Sequence, residues 1–223
     1  MGKSTKPKHP VIKLFVEGGG DKNSALKVAC QKGFRTLLTT ATFSGSLPRI
    51  VACGGRDDAF GKFKTSIANG ERAYLLVDSE DTVSSGVSKW EHLKKRDNWD
   101  KPDGADENSV FFMQTCMEAW IAADRKAIKN KYPKVVESKL PALYGLEKQN
   151  RKQILKKLEA ATQTEKKWDT GYSKTKVSFE LLGALDPETL RKHILSFKEI
   201  APSTDDEKAI KEKSLKWQLC GPF

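Results

Sequence analysis

The 223-residue chain is long enough to bury a core without disulfide or metal staples. No stretch approaches the roughly eighteen apolar residues of a membrane span, and Met1-Gly-Lys-Ser-Thr-Lys-Pro-Lys-His9 lacks the apolar centre of a signal peptide, so a soluble cytoplasmic protein is expected. Forty Lys/Arg against 29 Asp/Glu leave a net charge of +11, which favours an anionic partner.

In chain order, residues 1–10 form a basic arm. The run Val11-Ile-Lys-Leu-Phe-Val16 reads as a buried strand that ends on Glu17, with Gly18-Gly-Gly20 as a tight turn. A helix is predicted over Asp21–Gln31, with Gly33 as its C-cap. Arg49–Cys53 reads as a second strand, running through Gly54-Gly55-Arg56 into a helix from Asp57 to Ala68 that places Phe60, Phe63 and Ile67 on one face. Arg72–Val77 is the third strand and again ends on acids, Asp78-Ser-Glu80-Asp81. A helix near Ser88–Arg96 follows, then a strand at Val110–Met113 and a helix-compatible apolar segment at Cys116–Asp124. Strand and helix thus alternate to about residue 130, the pattern of an α/β fold with a parallel sheet flanked by helices.

Beyond Pro133 the pattern changes: helices are predicted over Glu147–Ala161 and Pro187–Ile200, with no strand between them. Residues 11–130 therefore read as the α/β domain, 131–200 as a basic helical lobe and 201–223 as a charged tail. Between Arg125 and Lys176 there are 15 Lys/Arg against five acids, so nearly all the excess positive charge lies there. Lys152, Lys156, Lys157, Lys166 and Lys167 are candidates for holding a phosphate backbone, against the alternative of a solvated helical face. Cys30, Cys53, Cys116 and Cys220 form no C-x-x-C pair and read as free thiols. His9, His92 and His193 lie in basic segments and read as surface residues, which gives histidine catalysis little support.

Parallel strands deliver their ligands to the C-terminal edge of the sheet. Glu17, Asp78 and Glu80 brought together there would repel one another unless a divalent cation neutralised them, and hard oxygen ligands suit Mg²⁺ or Mn²⁺. Each piece alone has other readings. Glu17-Gly-Gly-Gly20 also suits a phosphate cradle or a purely steric turn, although it fits neither nucleotide-loop spacing. A turn at Asp78 can return Glu80 towards the same ion, with Asp81 as a helix cap or an outer ligand. Glu118, in an apolar segment, needs either a Lys/Arg or the metal as partner, and Asp124 is a weaker candidate at a helix surface. Lys174 or Lys176, in Tyr172-Ser-Lys-Thr-Lys176, is placed to stabilise a phosphoryl transition state.

The strand-Glu-Gly start and the strand-Asp-x-acid element resemble the two motifs of TOPRIM domains, found in topoisomerases, primases and OLD-family nucleases. More specifically, the chain resembles the bacterial TOPRIM-like family catalogued as domain of unknown function 4276. That resemblance rests on Val16-Glu-Gly18, Gly54-Gly-Arg-Asp-Asp-Ala-Phe60, Leu76-Val-Asp78-Ser-Glu80, Trp90-Glu-His-Leu-Lys-Lys-Arg-Asp-Asn-Trp99, Met113-Gln-Thr-Cys-Met-Glu-Ala-Trp-Ile-Ala-Ala-Asp124, Tyr172-Ser-Lys-Thr-Lys176 and Phe179-Glu-Leu-Leu182. It implies a TOPRIM-like fold with Glu17, Asp78 and Glu80 as the acidic centre and Glu118 as an added ligand. The usual Asp-x-Asp is Asp78-Ser-Glu80 here, a longer acid that changes the ligand geometry. Relatives in such families often occur beside an ATPase in bacterial defence systems, and the resemblance carries that partner over as an expectation.

The reading that follows is a Mg²⁺- or Mn²⁺-dependent nuclease. Its alternatives are a binding or regulatory subunit with a silent centre and, less favoured for want of a nucleotide loop, a nucleotidyl-transfer or small-phosphate enzyme.

Overall fold

The computed structural model describes residues 11–20, 23–41, 47–163, 171–174 and 176–203, with Lys176 described in its backbone alone. The basic arm, Lys166, Lys167, Cys220 and nearly all of the 201–223 tail lie outside the described residues.

Four short strands, β1 (Lys13–Val16), β2 (Arg49–Ala52), β3 (Ala73–Asp78) and β4 (Val110–Met113), form one parallel sheet in the order β2-β1-β3-β4. Alternation along each strand sorts the side chains between two faces. Leu14, Val16, Ile50 and Leu76 enter one apolar cluster, while Phe15, Leu75, Val77 and Phe112 enter the other. Helix α1 (Ser24–Thr40) covers the first face through Cys30, Phe34, Leu37 and Leu38. Helix α2 (Arg56–Ala68) covers the second through Ala59 and Phe63, joined there by Trp90 and Leu93 of α3 (Lys89–Asp97).

The chain leaves β1 for β2 on one side and returns to β3 on the other, so the strand order reverses at β1. Open parallel sheets bind ligands at such a reversal, beyond the carboxyl ends of the strands. Val16 pairs with both Ala52 and Leu76, so Glu17 emerges at the centre of that edge.

Helices α4 (Met117–Ala123), α5 (Arg125–Lys131), α6 (Arg151–Thr162), α7 (Lys176–Gly183), α8 (Pro187–His193) and α9 (Leu195–Ile200) complete the fold. Beyond residue 130 the described residues contain helices and turns and no strand. The apolar side chains of this segment do not form a core apart: Ile154, Leu158, Leu182, Leu190 and Phe197 lie in the same cluster as Leu14 and Val16.

Three local expectations differ from the structure. Helix α1 runs on to Thr40, and Gly33 is an interior residue of it, not its C-cap. A Cβ at Gly33 would stand 2.4 Å from the carbonyl oxygen of Phe179, so glycine is there to let α7 pack backbone-close on α1. The segment 187–200 is two helices rather than one: Glu147 accepts from the backbone N–H groups of Leu195 (2.7 Å) and Ser196 (3.0 Å), capping a new start at α9. Glu147 itself belongs to a 3-10 turn, Leu146–Lys148, and α6 begins at Arg151 behind an Asn150 cap.

Candidate metal centre

The three acids predicted from sequence converge. The Glu17 N–H continues the β1 ladder by donating to Leu76 O (3.0 Å), and Glu17 Oε2 accepts from the Asp78 N–H (3.2 Å). Asp78 closes β3, and its Oδ1 accepts from the Met117 N–H (2.9 Å) at the start of α4. Two further backbone bonds, Ser79 N–H to Met113 O (3.1 Å) and Glu80 N–H to Thr115 O (2.9 Å), carry the pairing past the strand end. Glu80 then takes a left-handed backbone conformation (φ 67°), uncommon for a non-glycine residue, which turns the chain and returns its carboxylate to the same edge. Ligand oxygens from Glu17, Asp78 and Glu80 all lie within 4.8 Å of one another. Ligands about 2.1 Å from one Mg²⁺ sit about 3–4 Å apart, so small side-chain rotations bring this set onto a single ion.

Arginines provide much of the neutralising charge that sequence reasoning assigned to a metal. Arg56 Nη1 donates to Glu17 Oε2 (3.0 Å) and to the Asp78 carbonyl (2.6 Å), while its Nε and Nη2 grip Asp97 at 2.9 and 2.6 Å. Its guanidinium carbon lies 5.0 Å from the Trp99 ring centroid. Glu80 Oε2 meets Arg96 Nη2 at 3.0 Å and also pairs with Arg151. Asp78 differs from both neighbours, since no described cation stands within ion-pair distance of it. Burial, followed by the charges of Glu17 and Glu118, holds its carboxyl well above the usual range. Glu17 is also shifted upward, chiefly by burial, with Arg56 opposing.

A cleft of about 240 Å³ opens beside these acids, lined among others by Glu17, Gly19, Asp78, Glu118 and Lys174. Glu118 is 1% exposed. Its Oε1 accepts from the Tyr172 hydroxyl (3.1 Å), and its Oε2 faces Lys174 Nζ at 3.1 Å, off the direction of a well-aligned hydrogen bond. Burial works against the Lys174 ammonium, but Glu118 and Asp78 outweigh it and raise its pKa. Gly19 (φ 91°) crosses Lys27 so closely that a Cβ would lie 2.7 Å from its Cα, which supports the steric reading of the glycine run. The larger groove of about 690 Å³ between α1 and α7 is lined mainly by small and apolar residues such as Ala25, Val28 and Gly183, and holds no comparable acid cluster.

Other candidates fall elsewhere. The Asp81 carboxylate is not part of the convergent set; it is 77% exposed and lies 3.9 Å from Arg96 Nε. Asp124 is a buried cap rather than a surface acid, accepting from the N–H groups of Ala127 (2.9 Å) and Asp186 (2.8 Å). Lys152, Lys156 and Lys157 are exposed on α6, whose first residue, Arg151, touches Glu80. His92 is not a plain surface residue: its Nε2 lies 2.9 Å from the Ser79 carbonyl and its ring meets Phe112 edge-on. Cys30, Cys53 and Cys116 are buried free thiols, and burial pushes Cys30 up to about 12. Sequence reasoning did not assign roles to Arg56, Arg96 or Arg151. Arg56 and Arg96 do stand in the stretches Gly54–Phe60 and Trp90–Trp99 that carry the family resemblance, which is the signal that marked them.

Residues 16–201 match the family described as Domain of unknown function (DUF4276). No curated protein and no solved structure matches the chain.

Proposed function

The chain belongs to the DUF4276 family, and from its acidic centre we propose that it is a divalent-metal-dependent nuclease of TOPRIM type acting on DNA or RNA. The observation that carries this reading is the convergence of Glu17, Asp78 and Glu80 at the strand-order reversal, with Asp78 buried against like charge and no described cation ion-paired with its carboxylate. Glu17, Asp78 and Glu80 are the residues that would hold Mg²⁺ or Mn²⁺. A bound ion of this kind supplies Lewis acidity towards a phosphate oxygen and an activated water at neutral pH. Arg56 fixes the Glu17 carboxylate and the Asp78 main chain relative to each other, so the acids are oriented before substrate arrives. Lys174, which lines the same cleft, would donate to a non-bridging phosphate oxygen and offset the charge that grows there. Lys152, Lys156 and Lys157, exposed on the helix whose first residue pairs with Glu80, would grip the backbone. The family resemblance adds an ATPase partner in a bacterial defence system to this reading.

One observation favours a second reading. Glu17 and Glu80 already carry guanidinium partners, as a silent centre in a regulatory subunit would. The two readings separate on Asp78→Ala. The nuclease reading expects divalent-dependent cleavage of DNA or RNA to be lost while binding stays within a few-fold, because the ion contributes little to the electrostatic hold on a long backbone. Absence of metal-dependent cleavage by the unaltered protein on single- and double-stranded substrates, with the ATPase present, would leave the regulatory reading in its place.

A further inference from the structure

Glu80 is the one acid of the three gripped by two guanidinium groups. Its side chain is 9% exposed, and Arg96 and Arg151 both close on the same oxygen, Oε2. The two arginines are not equivalent. Arg96 is also bound to Asp97 and reaches towards Asp81. Arg151 makes its one described ion pair with Glu80 and keeps 39% of its side chain exposed. A guanidinium has five N–H donors in a planar fork that matches a phosphate, so Arg151 retains unused donors facing solvent. It also stands at the first position of α6, the helix that carries Lys152, Lys156 and Lys157 outward.

We propose that Arg151 is a phosphate-responsive latch on Glu80: without substrate it shares the carboxylate with Arg96, and a phosphodiester that takes over the Arg151 guanidinium removes one of the two cations that compete with a metal ion for Glu80, so that Glu80 joins Glu17 and Asp78 in the ligand set. The proposal rests on the metal-centre reading above. The charges give it direction. Glu17, Asp78, Glu80 and the Asp97 shared by Arg56 and Arg96 carry −4, and Arg56, Arg96 and Arg151 return +3, so the centre is one charge short of balance before any ion arrives. Adding a divalent ion leaves an excess of +1 in a partly buried place, which an incoming phosphodiester offsets. Ion and phosphate therefore reinforce each other's binding, each by the same factor. Removing the Arg151 charge leaves Glu80 to Arg96 alone without phosphate and removes one source of repulsion towards the ion.

The test is Mn²⁺ binding by the full chain, followed through the electron paramagnetic resonance signal of the free ion, with and without dimethyl phosphate. That probe is a bare phosphodiester that chelates metal feebly. The expected result is a roughly tenfold gain in Mn²⁺ affinity on adding it. Arg151→Gln should bind Mn²⁺ more tightly than the unaltered protein in its absence, and gain less than about twofold from it. Lys129→Gln, the same charge change on α5 where Lys129 pairs with Glu137, should behave like the unaltered protein. Mn²⁺ affinity indifferent to dimethyl phosphate, or an Arg151→Gln response equal to the unaltered protein's, overturns the latch and leaves the metal centre standing. No Mn²⁺ binding by either protein removes both.

Discussion

Lys174 Nζ lies 3.1 Å from Glu118 Oε2, joining a half-exposed ammonium to a carboxylate that is 1% exposed. The sequence required Glu118 to have either a cation or a metal as partner, and the tertiary structure supplies the cation from 56 residues further along the chain. Glu118 therefore sits in the wall of the cleft as the anchor of Lys174, outside the convergent ligand set.

Cutting that pair leaves a buried charge alone. Lys174→Met should destabilise the protein by about 2 kcal/mol, less than the cost for a fully buried pair because water already screens half of the lysine. Adding Glu118→Gln should recover most of the loss in urea melts, since the amide needs no counter-charge, while cleavage stays at the level of the single variant. Recovery of cleavage along with stability would mean that Lys174 is structural only.

Asp78 links stability to pH. Its carboxyl is raised above the ordinary 3.8 by burial and by like charge from Glu17 and Glu118. A raised carboxyl contributes stability that is fully present below 3.8 and is lost as pH rises through the folded-state value. In chelator, Asp78→Asn should therefore melt higher than the unaltered protein at pH 7.5, by a few degrees or on the order of 1 kcal/mol. The advantage should fade as the pH approaches 4. Mn²⁺ at about a hundred times its dissociation constant should stabilise the unaltered protein by about 2.7 kcal/mol and the variant much less. A pH-independent difference between the two melting temperatures would contradict this account.

Gly33 tests the close packing of α1 on α7. With Phe179 O only 2.4 Å from any added Cβ, two backbones must separate to admit one methyl group. Gly33→Ala should cost about 3 kcal/mol in equilibrium unfolding despite the better helix propensity of alanine. Gly61→Ala, where nothing lies within 4 Å of the added carbon, should be neutral or stabilising.

The exposed lysines of α6 are tested by salt. If Lys152, Lys156 and Lys157 neutralise phosphates, each change to Gln should reduce the slope of log affinity against log salt by about 0.7 for a single strand or 0.9 for B-form DNA. Unchanged slopes across the series would make this face a solvated one.

Local sequence determined the parts of this protein that depend on neighbours in the chain. Val11–Val16, Arg72–Val77 and Val110–Met113 are short apolar runs that suit buried strands of a parallel sheet, and in such a sheet the acids that follow the first two emerge on one edge. For that reason Glu17, Asp78 and Glu80 were legible as a set. Gly33 was misread because a helix-ending glycine and a glycine that admits a second helix carry the same letter, and the difference lies in Phe179. Helix α7 escaped notice because eight residues give too little periodicity to separate from a loop. The charge balance of the centre was beyond reach of the sequence. Arg56, Arg96 and Arg151 find Glu17, Asp97 and Glu80 across gaps of up to 71 positions. A flexible basic side chain can pair with any acid its reach allows, so only the packing of α2, α3 and α6 around the sheet edge decided which cations meet which carboxylates, and left Asp78 without a described one.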